Sequence, residues 1–318
     1  MLYRSTRNKL DSYTPYRTLS LDRGSDGGFI LPLQFPFLEI AQIEQMKDAD
    51  FLQNVADVLN LFFGTEFTAW DMESTVGKTP LKTVECGQNT VICQCWKNPA
   101  GDINYFMQSI FSRLYSVKGN RPTTWARVAI RISLIAATAL CLTDQDNTAV
   151  DIAVNSGDFE QAFAACYCRK MGFPIRKILI ACNENSGIWD FVYRGTLNCG
   201  MTLQKTAYPD MDRVVPDLLE ACLFLKYGEC ETLRFVEALN KKAAYQLPED
   251  AEIPADDNLF VSVVGQDRIP TVISSFRSTS GISVHPYTAF SLGSLQDYRA
   301  KAGESCLTVI FEENAPKI

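Results

Sequence analysis

Residues 149–185 read AVDIAVNSGDFEQAFAACYCRKMGFPIRKILIACNEN, and the fold class follows from this stretch. Residues 150–154 form a short, mainly apolar run that fits a buried strand, and residues 177–182 form a second one. Between the two runs, apolar residues recur at i, i+3, i+4 and i+7, which predicts a helix that Gly172 ends. Two strands joined through a helix pair in parallel, and a parallel sheet needs helices on both faces. The sequence therefore predicts an α/β fold.

The turn Asn155, Ser156, Gly157 opens the predicted helix. A turn of this kind can bind an anion, because free backbone N–H groups and the helix dipole point at the ligand. Many strand-to-helix turns also carry serine and glycine for geometry alone. From the turn by itself, a geometric role and an anion-binding role both stay open.

The same stretch resembles threonine synthase, a pyridoxal-phosphate (PLP) enzyme of the tryptophan-synthase-β-like superfamily. The corresponding family segments run VPTGNFGD, then AGYYAKRMGLPI, then a strand that ends in ATNEND. The residues that match or nearly match them are Ser156, Gly157, Phe159, Lys170, Met171, Gly172, Pro174, Ile175, Asn183, Glu184 and Asn185.

This resemblance implies a fold and a domain organisation. The fold is the large domain of a PLP fold-type-II enzyme, a mostly parallel sheet with helices on both faces, over residues 81–318. Residues 1–80 are expected to be a small N-terminal helical region, since the opening MLYRSTRN and the segment DGGFI at residues 26–30 are similar to family segments. Helical spacing between residues 40 and 76 predicts three helices there.

The catalytic motif of the family, HGPTLAFKD, has no intact counterpart. An ungapped count back from Met107 and Gln108 places Ile103 at the Schiff-base lysine and Trp96 at the histidine. An isoleucine cannot form an imine with the PLP aldehyde, so the resemblance implies no catalytic residue. Lys97, six residues earlier, is the outside candidate for the missing amine.

The mobile small domain of the family is expected to be missing near residues 116–122. The resemblance stops at Tyr115 and resumes at Trp125, whereas the family places a domain with an SGDTG-type glycine turn between these points. Loss of this domain uncovers a face of the large domain. An apolar patch on that face would be a natural interface with a second copy or a partner protein.

The phosphate turn, Ser156, Gly157, Asp158 and Phe159, is expected to be a non-functional remnant. Asp158 replaces a family asparagine and Glu160 replaces a family glycine. Two carboxylates at the start of a helix repel a phosphate dianion but suit an empty helix N-terminus. Arg127, on the apolar helix of residues 125–142, is either a paired structural arginine or a retained anion contact.

His285 is the one histidine of the chain. Any zinc site with two histidines is therefore impossible, and any Ser/His or Cys/His pair would have to use His285. In the late family segment (D/E)PH(T/P)A, Tyr287 takes the place of the histidine and His285 that of the acid. A hydrogen-bonded structural role for His285 is expected, and no metal site is predicted.

Charge and composition exclude other classes. Thirty basic and 37 acidic residues give a formal charge of −7, without a basic cluster, so nucleic acid and anionic membranes are excluded as partners. No apolar run is expected to span a bilayer. The 11 cysteines form no CxxC motif, and they are expected to be reduced in a cytoplasmic protein.

These observations predict a threonine-synthase-like protein that has lost catalysis and acts as a binding or assembly partner. No bound cofactor is expected. The alternative is an active PLP-dependent lyase that converts O-phosphohomoserine to threonine, with Lys97 recruited or the missing domain supplied by another chain. A second alternative is a cofactor-free sensor that binds a small phosphorylated or amino-acid ligand in the remaining cleft.

Overall fold

The computed structural model describes residues 1–8, 10–78, 81–97, 102–115, 123–143, 148–303 and 305–316. The strands are β1 (Tyr3–Ser5), β2 (Ser12–Tyr13), β3 (Ile30–Pro32), β4 (Thr83–Glu85), β5 (Thr90–Gln94), β6 (Val150–Asn155), β7 (Ile175–Cys182), β8 (Thr196–Asn198), β9 (Ala244–Gln246), β10 (Leu259–Val263) and β11 (Thr308–Glu312). The helices are α1 (Pro15–Thr18), α2 (Ile40–Lys47), α3 (Phe51–Phe63), α4 (Ala69–Val76), α5 (Ile103–Tyr115), α6 (Thr124–Leu142), α7 (Phe159–Lys170), α8 (Ile188–Arg194), α9 (Leu219–Lys242), α10 (Ile269–Ser280) and α11 (Pro286–Ala302).

A six-stranded sheet in the order β10-β7-β6-β11-β5-β4 forms the centre of the molecule. Its first five strands pair in parallel, and only β4 at the edge runs antiparallel. This confirms the predicted α/β class with a mostly parallel sheet. Because the strands are parallel, β5, β6, β7 and β11 all end at one edge, where open α/β sheets place their ligand sites.

Both faces of the sheet are covered, as a parallel sheet requires. Ile152 and Val154 of β6 belong to a core that is shared with α3, α5, α6 and α7. Ala153 faces the other way, into a core that is shared with α10 and α11. Helix α7 ends where predicted, because Gly172 adopts a φ of +100° and a side chain there would meet the Leu38 carbonyl oxygen at 2.9 Å.

Helix α6 corrects one sequence-based expectation. By length and composition it could cross a bilayer, whereas no run of this kind was expected from the sequence. However, 83% of the apolar 18-residue stretch of this helix is buried in the structure. It packs between α3 and α7, so burial in the core accounts for its apolar surface.

The N-terminal region contains the three predicted helices and, in addition, an antiparallel sheet in the order β2-β1-β3. The indole of Trp125 on α6 lies 5.7 Å from the Tyr3 ring, 5.3 Å from that of Phe62 and 5.7 Å from that of Tyr167, measured between ring centroids. This aromatic contact packs the region against α6 and α7. The predicted domain boundary at residue 80 and the predicted loss of a domain near residues 116–122 both lie outside the described residues. They stay predictions.

Candidate functional site

The turn between β6 and α7 lies at the carboxyl edge of the sheet. Ser156–Asp158 form one 3₁₀ turn, and α7 follows directly. The Asn155 side chain accepts a hydrogen bond from the Asp158 N–H at 3.2 Å, and the Asp158 carboxylate accepts one from the Gln161 N–H at 3.3 Å. The side chains of the turn therefore cap the N–H groups that an anion would otherwise take.

Met211 fills the centre of this turn. Its thioether sulfur accepts a hydrogen bond from the Gly157 N–H at 3.2 Å and lies 3.7 Å from Ser156 Oγ. A Cβ at Gly157 would lie only 3.1 Å from the sulfur, so any larger residue here would force the sulfur to move by a few tenths of an ångström. Met211 is fully buried. A weakly polar sulfur thus occupies the place where a phosphate oxygen would approach.

A network around Asp212 holds Met211 in this place. The Asp212 carboxylate accepts hydrogen bonds from the side chains of Asn183 at 2.7 Å, Asn185 at 2.8 Å and Thr206 at 2.8 Å. Burial by itself would raise the pKa of Asp212, but a hydrogen bond from the backbone N–H of Thr206 at 3.0 Å and these side-chain hydrogen bonds outweigh it and lower the pKa. The two asparagines of the family-like NEN segment therefore anchor the loop that carries Met211.

Two arginines of α6 neutralise the carboxylates of the turn. Arg127 Nε donates to Glu160 Oε2 at 3.0 Å. Arg131 NH1 donates to Glu160 Oε2 at 2.9 Å, and its NH2 reaches Asp158 at 3.2 Å and Glu313 at 2.7 Å. Arg127 was expected to be either a paired structural arginine or a retained anion contact, and in the structure it is ion-paired with Glu160. We call these five residues, Arg127, Arg131, Asp158, Glu160 and Glu313, the turn cluster.

The turn cluster has three carboxylates for two guanidinium groups, and this imbalance shifts pKa values. Burial raises the pKa of Glu313 to about 8, and Asp158 and Glu160 add to the rise against the lowering effect of Arg131. Burial would lower the pKa of Arg131, but Asp158, Glu313 and Glu160 together raise it. Arg131 therefore stays charged, and Glu313 is the member of the cluster that titrates near neutral pH.

A cavity of about 700 Å³ opens above the turn. Four arginines and six carboxylates lie among its lining residues, so acidic groups are in excess. No lysine lines this cavity in the part of the chain that the structure describes. The cavity is large enough for a small metabolite, since ligand sites usually measure about 300–1,000 Å³.

Neither residue that was predicted for the amine position reaches the cavity. Ile103 begins α5 and is buried in the core shared with α3 and α6. Lys97 is exposed, and its Nζ lies 4.6 Å above the centroid of the Trp96 ring. Residues 98–101 between them lie outside the described part, so the predicted assignment of Ile103 to the lysine position remains a prediction.

His285 and Tyr287 lie at the start of α11, on the wall of the cavity. The His285 ring nitrogen Nδ1 accepts a hydrogen bond from the backbone N–H of Tyr287 at 3.3 Å. The backbone N–H of His285 donates to the Glu312 carboxylate at 2.8 Å. Trp96 donates to the same carboxylate at 2.9 Å. His285 thus caps a helix, in line with the structural role that was expected for it.

The part of the turn and of the cavity wall that the structure describes does not fit PLP. The phosphate of PLP would meet Met211 and two carboxylates at the turn, and its aldehyde would find no lysine on the described cavity wall. The described residues contain no cluster of three His, Cys, Asp or Glu side chains that could hold a metal.

Sequence reasoning missed Met211 and Glu313. Met211 lies on the loop between β8 and α9, and nothing in its spacing along the sequence predicts contact with Gly157. Glu313 lies one residue beyond β11, at the carboxyl edge of the sheet, and the apolar run at residues 306–311 just before it is the signal that could have placed it there.

Comparisons with known proteins agree with this architecture. Residues 2–79 match the family model "Threonine synthase N terminus". Threonine synthase of Eremothecium gossypii is 27% identical over 155 residues, which are 45% of this chain and 30% of the relative. Human threonine synthase-like 1 is 27% identical over 173 residues, 52% of this chain and 23% of the relative. The chain thus spans less than a third of the length of these two relatives.

Solved structures match over most of the chain. PLP-bound threonine synthase from Brucella melitensis has a TM-score of 0.83 at 18% identity and covers 99% of this chain and 89% of its own. Yeast threonine synthase has a TM-score of 0.81 at 17% identity, with 99% and 87% covered. At such identities the likeness concerns the fold alone.

Proposed function

We propose a function from the premise that the chain belongs to the threonine synthase family at low sequence identity. The chain is a threonine synthase-like protein without PLP chemistry, and it acts as a binding or assembly partner. PLP catalysis needs an amine at the aldehyde and free N–H donors at the phosphate. The observation that carries the proposal is the state of the turn. Met211 takes the Gly157 N–H, and Arg131 is held by Asp158, Glu160 and Glu313.

The energetics of the turn support this proposal. A bound phosphate would have to displace the buried Met211 sulfur and then lie beside Asp158 and Glu160. Like charges about 4 Å apart repel by about 4 kcal/mol at an effective dielectric constant of 20. The arginines offset only part of this repulsion, because their guanidinium groups already pair with these carboxylates and are not free to bind a phosphate as well.

The test is to incubate the purified protein with PLP, reduce it with borohydride and map modified lysines by mass spectrometry. We expect no stoichiometric adduct and no absorbance of an internal imine. A stoichiometric adduct at Lys97 that vanishes in Lys97→Ala, but persists in the control Lys82→Ala, would establish the active-lyase alternative instead. Both lysines are exposed, so neither substitution disturbs the core.

Exposed aromatic side chains support the assembly role. Trp70 on α4 is 72% exposed and Tyr105 on the neighbouring α5 is 47% exposed. Light scattering after gel filtration would measure the association. We expect a dimer or larger assembly that Trp70→Ser weakens and that Leu10→Ser, at an 84% exposed site elsewhere, leaves unchanged. A wild-type monomer at every concentration would remove self-assembly from the proposal.

A small-metabolite sensor is the second candidate, and the cavity of about 700 Å³ with charges of both signs favours it. The excess of carboxylates suits the ammonium group of an amino acid better than a phosphate. We expect thermal shifts with homoserine or threonine that exceed the shift with O-phosphohomoserine, because a ligand that binds only the folded state stabilises it. The opposite order would argue for an intact phosphate site.

A further inference from the structure

A second cavity, of about 390 Å³, lies beside α7 and is distinct from the one above the turn. Helices α7, α8 and α9 and strand β7 contribute its walls, and Phe159 is the one residue that lines both cavities. Phe163, Ile180 and Leu223 form its floor and are at most 4% exposed. The inner part of this cavity is therefore an apolar surface of ligand-binding size.

Cationic side chains surround this apolar surface. Arg169 and Lys170 come from the last turn of α7, and Lys226 comes from α9. Asp256 is the one acidic residue on the described lining, so the local balance is three positive charges against one negative, or +2. The whole chain carries a formal charge of −7, so the local charge at this cavity is opposite in sign to the net charge of the protein.

These cations are only weakly engaged by the protein itself. Lys226 Nζ donates to the Ile253 carbonyl at 2.9 Å and lies 3.7 Å from Glu252, whose side chain is 82% exposed. Lys170 Nζ lies 5.8 Å from the Phe35 ring, and Arg169 Nε donates to the Arg176 carbonyl at 3.3 Å. An exposed ion pair contributes little, so the rim can take up an external anion.

Two free cysteines, Cys166 and Cys222, also line the cavity. Burial raises the pKa of both thiols, that of Cys166 to about 11. Protonated thiols behave as small apolar groups, so they extend the apolar wall. They also report on occupancy, since a ligand in the cavity would shield them from alkylation.

We propose that this cavity binds a small amphipathic anion, a carboxylate on a medium-length hydrocarbon chain. The hydrocarbon packs against Phe163, Ile180 and Leu223, which removes apolar surface from water. The carboxylate meets Arg169, Lys170 and Lys226 at the rim, where charge-assisted hydrogen bonds form. This site is separate from the turn cluster, so it does not depend on the function proposed above.

Isothermal titration of the full chain with decanoate, decan-1-ol and decylammonium tests the proposal. We expect saturable binding of decanoate that is about tenfold or more tighter than that of the alcohol, and no binding of the ammonium. Lys170→Gln combined with Lys226→Gln should weaken decanoate about tenfold and leave the alcohol unchanged. Lys301→Gln, at an exposed lysine on α11, is the matched control and should bind as the wild type does.

Alkylation with N-ethylmaleimide, followed by peptide mapping, checks the location. Decanoate should slow the labelling of Cys166 and Cys222 but not that of the exposed Cys141 and Cys230. The proposal is overturned if decanoate does not saturate, if the alcohol or the ammonium binds equally well, or if all four thiols are protected alike. It is also overturned if Cys166 and Cys222 become protected with rising protein concentration alone, because a second copy would then cover the cavity.

Discussion

Two arginine–carboxylate clusters of this chain differ in how their charges balance. At the N-terminus, Arg7 donates to both oxygens of Glu220, at 2.9 and 2.7 Å, and Thr6 Oγ1 donates to the same carboxylate at 2.6 Å. This terminal cluster of Thr6, Arg7 and Glu220 has one charge of each sign. The turn cluster has three carboxylates for two arginines. A balanced cluster ties distant segments together, whereas the unbalanced one holds a group that titrates near neutrality.

The largest effect is expected from Arg131→Met. The substitution leaves Asp158, Glu160 and Glu313 without their shared partner, and breaking a buried pair typically costs about 3–5 kcal/mol. Urea unfolding followed by tryptophan fluorescence measures this loss. Arg127→Met is the matched control and should cost less, because Glu160 keeps its contact with Arg131 NH1 at 2.9 Å. Equal losses for the two variants would contradict the central place of Arg131.

Glu220→Gln should lower the free energy of unfolding by about 2 kcal/mol, because it removes the charge that pairs with Arg7. The amide oxygen of the new side chain can still accept a hydrogen bond from Thr6. The terminal cluster joins β1 to the start of α9, more than 200 residues away in the chain. Hydrogen exchange should therefore quicken first in residues 1–32. An even increase over the whole chain would show that the terminal cluster does not hold this region in particular.

The pH dependence separates the two clusters. The pKa of Glu313 is about 8 in the folded chain, against an ordinary value of 4.5, so the folded state holds an extra proton between these values. Stability should fall as pH rises from about 5 to 8, by about 1–2 kcal/mol once the 30% exposure of this side chain is allowed for. Glu313→Gln should flatten this slope, measured by urea unfolding across that range. Glu220→Gln should leave it unchanged.

The smallest effect is expected from Arg213→Gln, on the rim of the large cavity. Its ion pair with Asp217 has side chains that are 58% and 72% exposed, and such pairs contribute less than about 0.5 kcal/mol. Thermal unfolding at low and high salt should give the same stability as for the wild type within error. A loss above 1 kcal/mol would show that this rim arginine takes part in a larger network.

The fold could be predicted because it depends on local pattern. The strand, turn, helix and strand of residues 149–185 and the three N-terminal helices lie within about two residues of their predicted places. The β8–β9 pair and the N-terminal sheet were missed, since strands of two or three residues carry too little alternation to be recognised.

The site was predictable only in part. Asp158 and Glu160 could be recognised as unsuited to a phosphate from their charge alone. Their pairing with Arg127 and Arg131 depends on how α6 packs beside α7, and the contact of Met211 with Gly157 depends on a long loop. Contacts of this kind are set by tertiary packing, which spacing along the sequence does not encode.

Helix α6 also bears on how the chain is made. Its partner α7 begins 17 residues after α6 ends, so the newly synthesised polypeptide presents 19 mostly apolar residues before this neighbour exists. A segment of that length is a candidate for the membrane-insertion machinery. Arg131, the eighth of its 19 residues, opposes insertion, since an arginine at the centre of a lipid-spanning segment costs about 2.5–3.5 kcal/mol. Arg127, near the start of the segment, could reach the membrane surface and opposes insertion less. Arg131, which neutralises the turn, therefore also opposes insertion of the nascent chain into a bilayer.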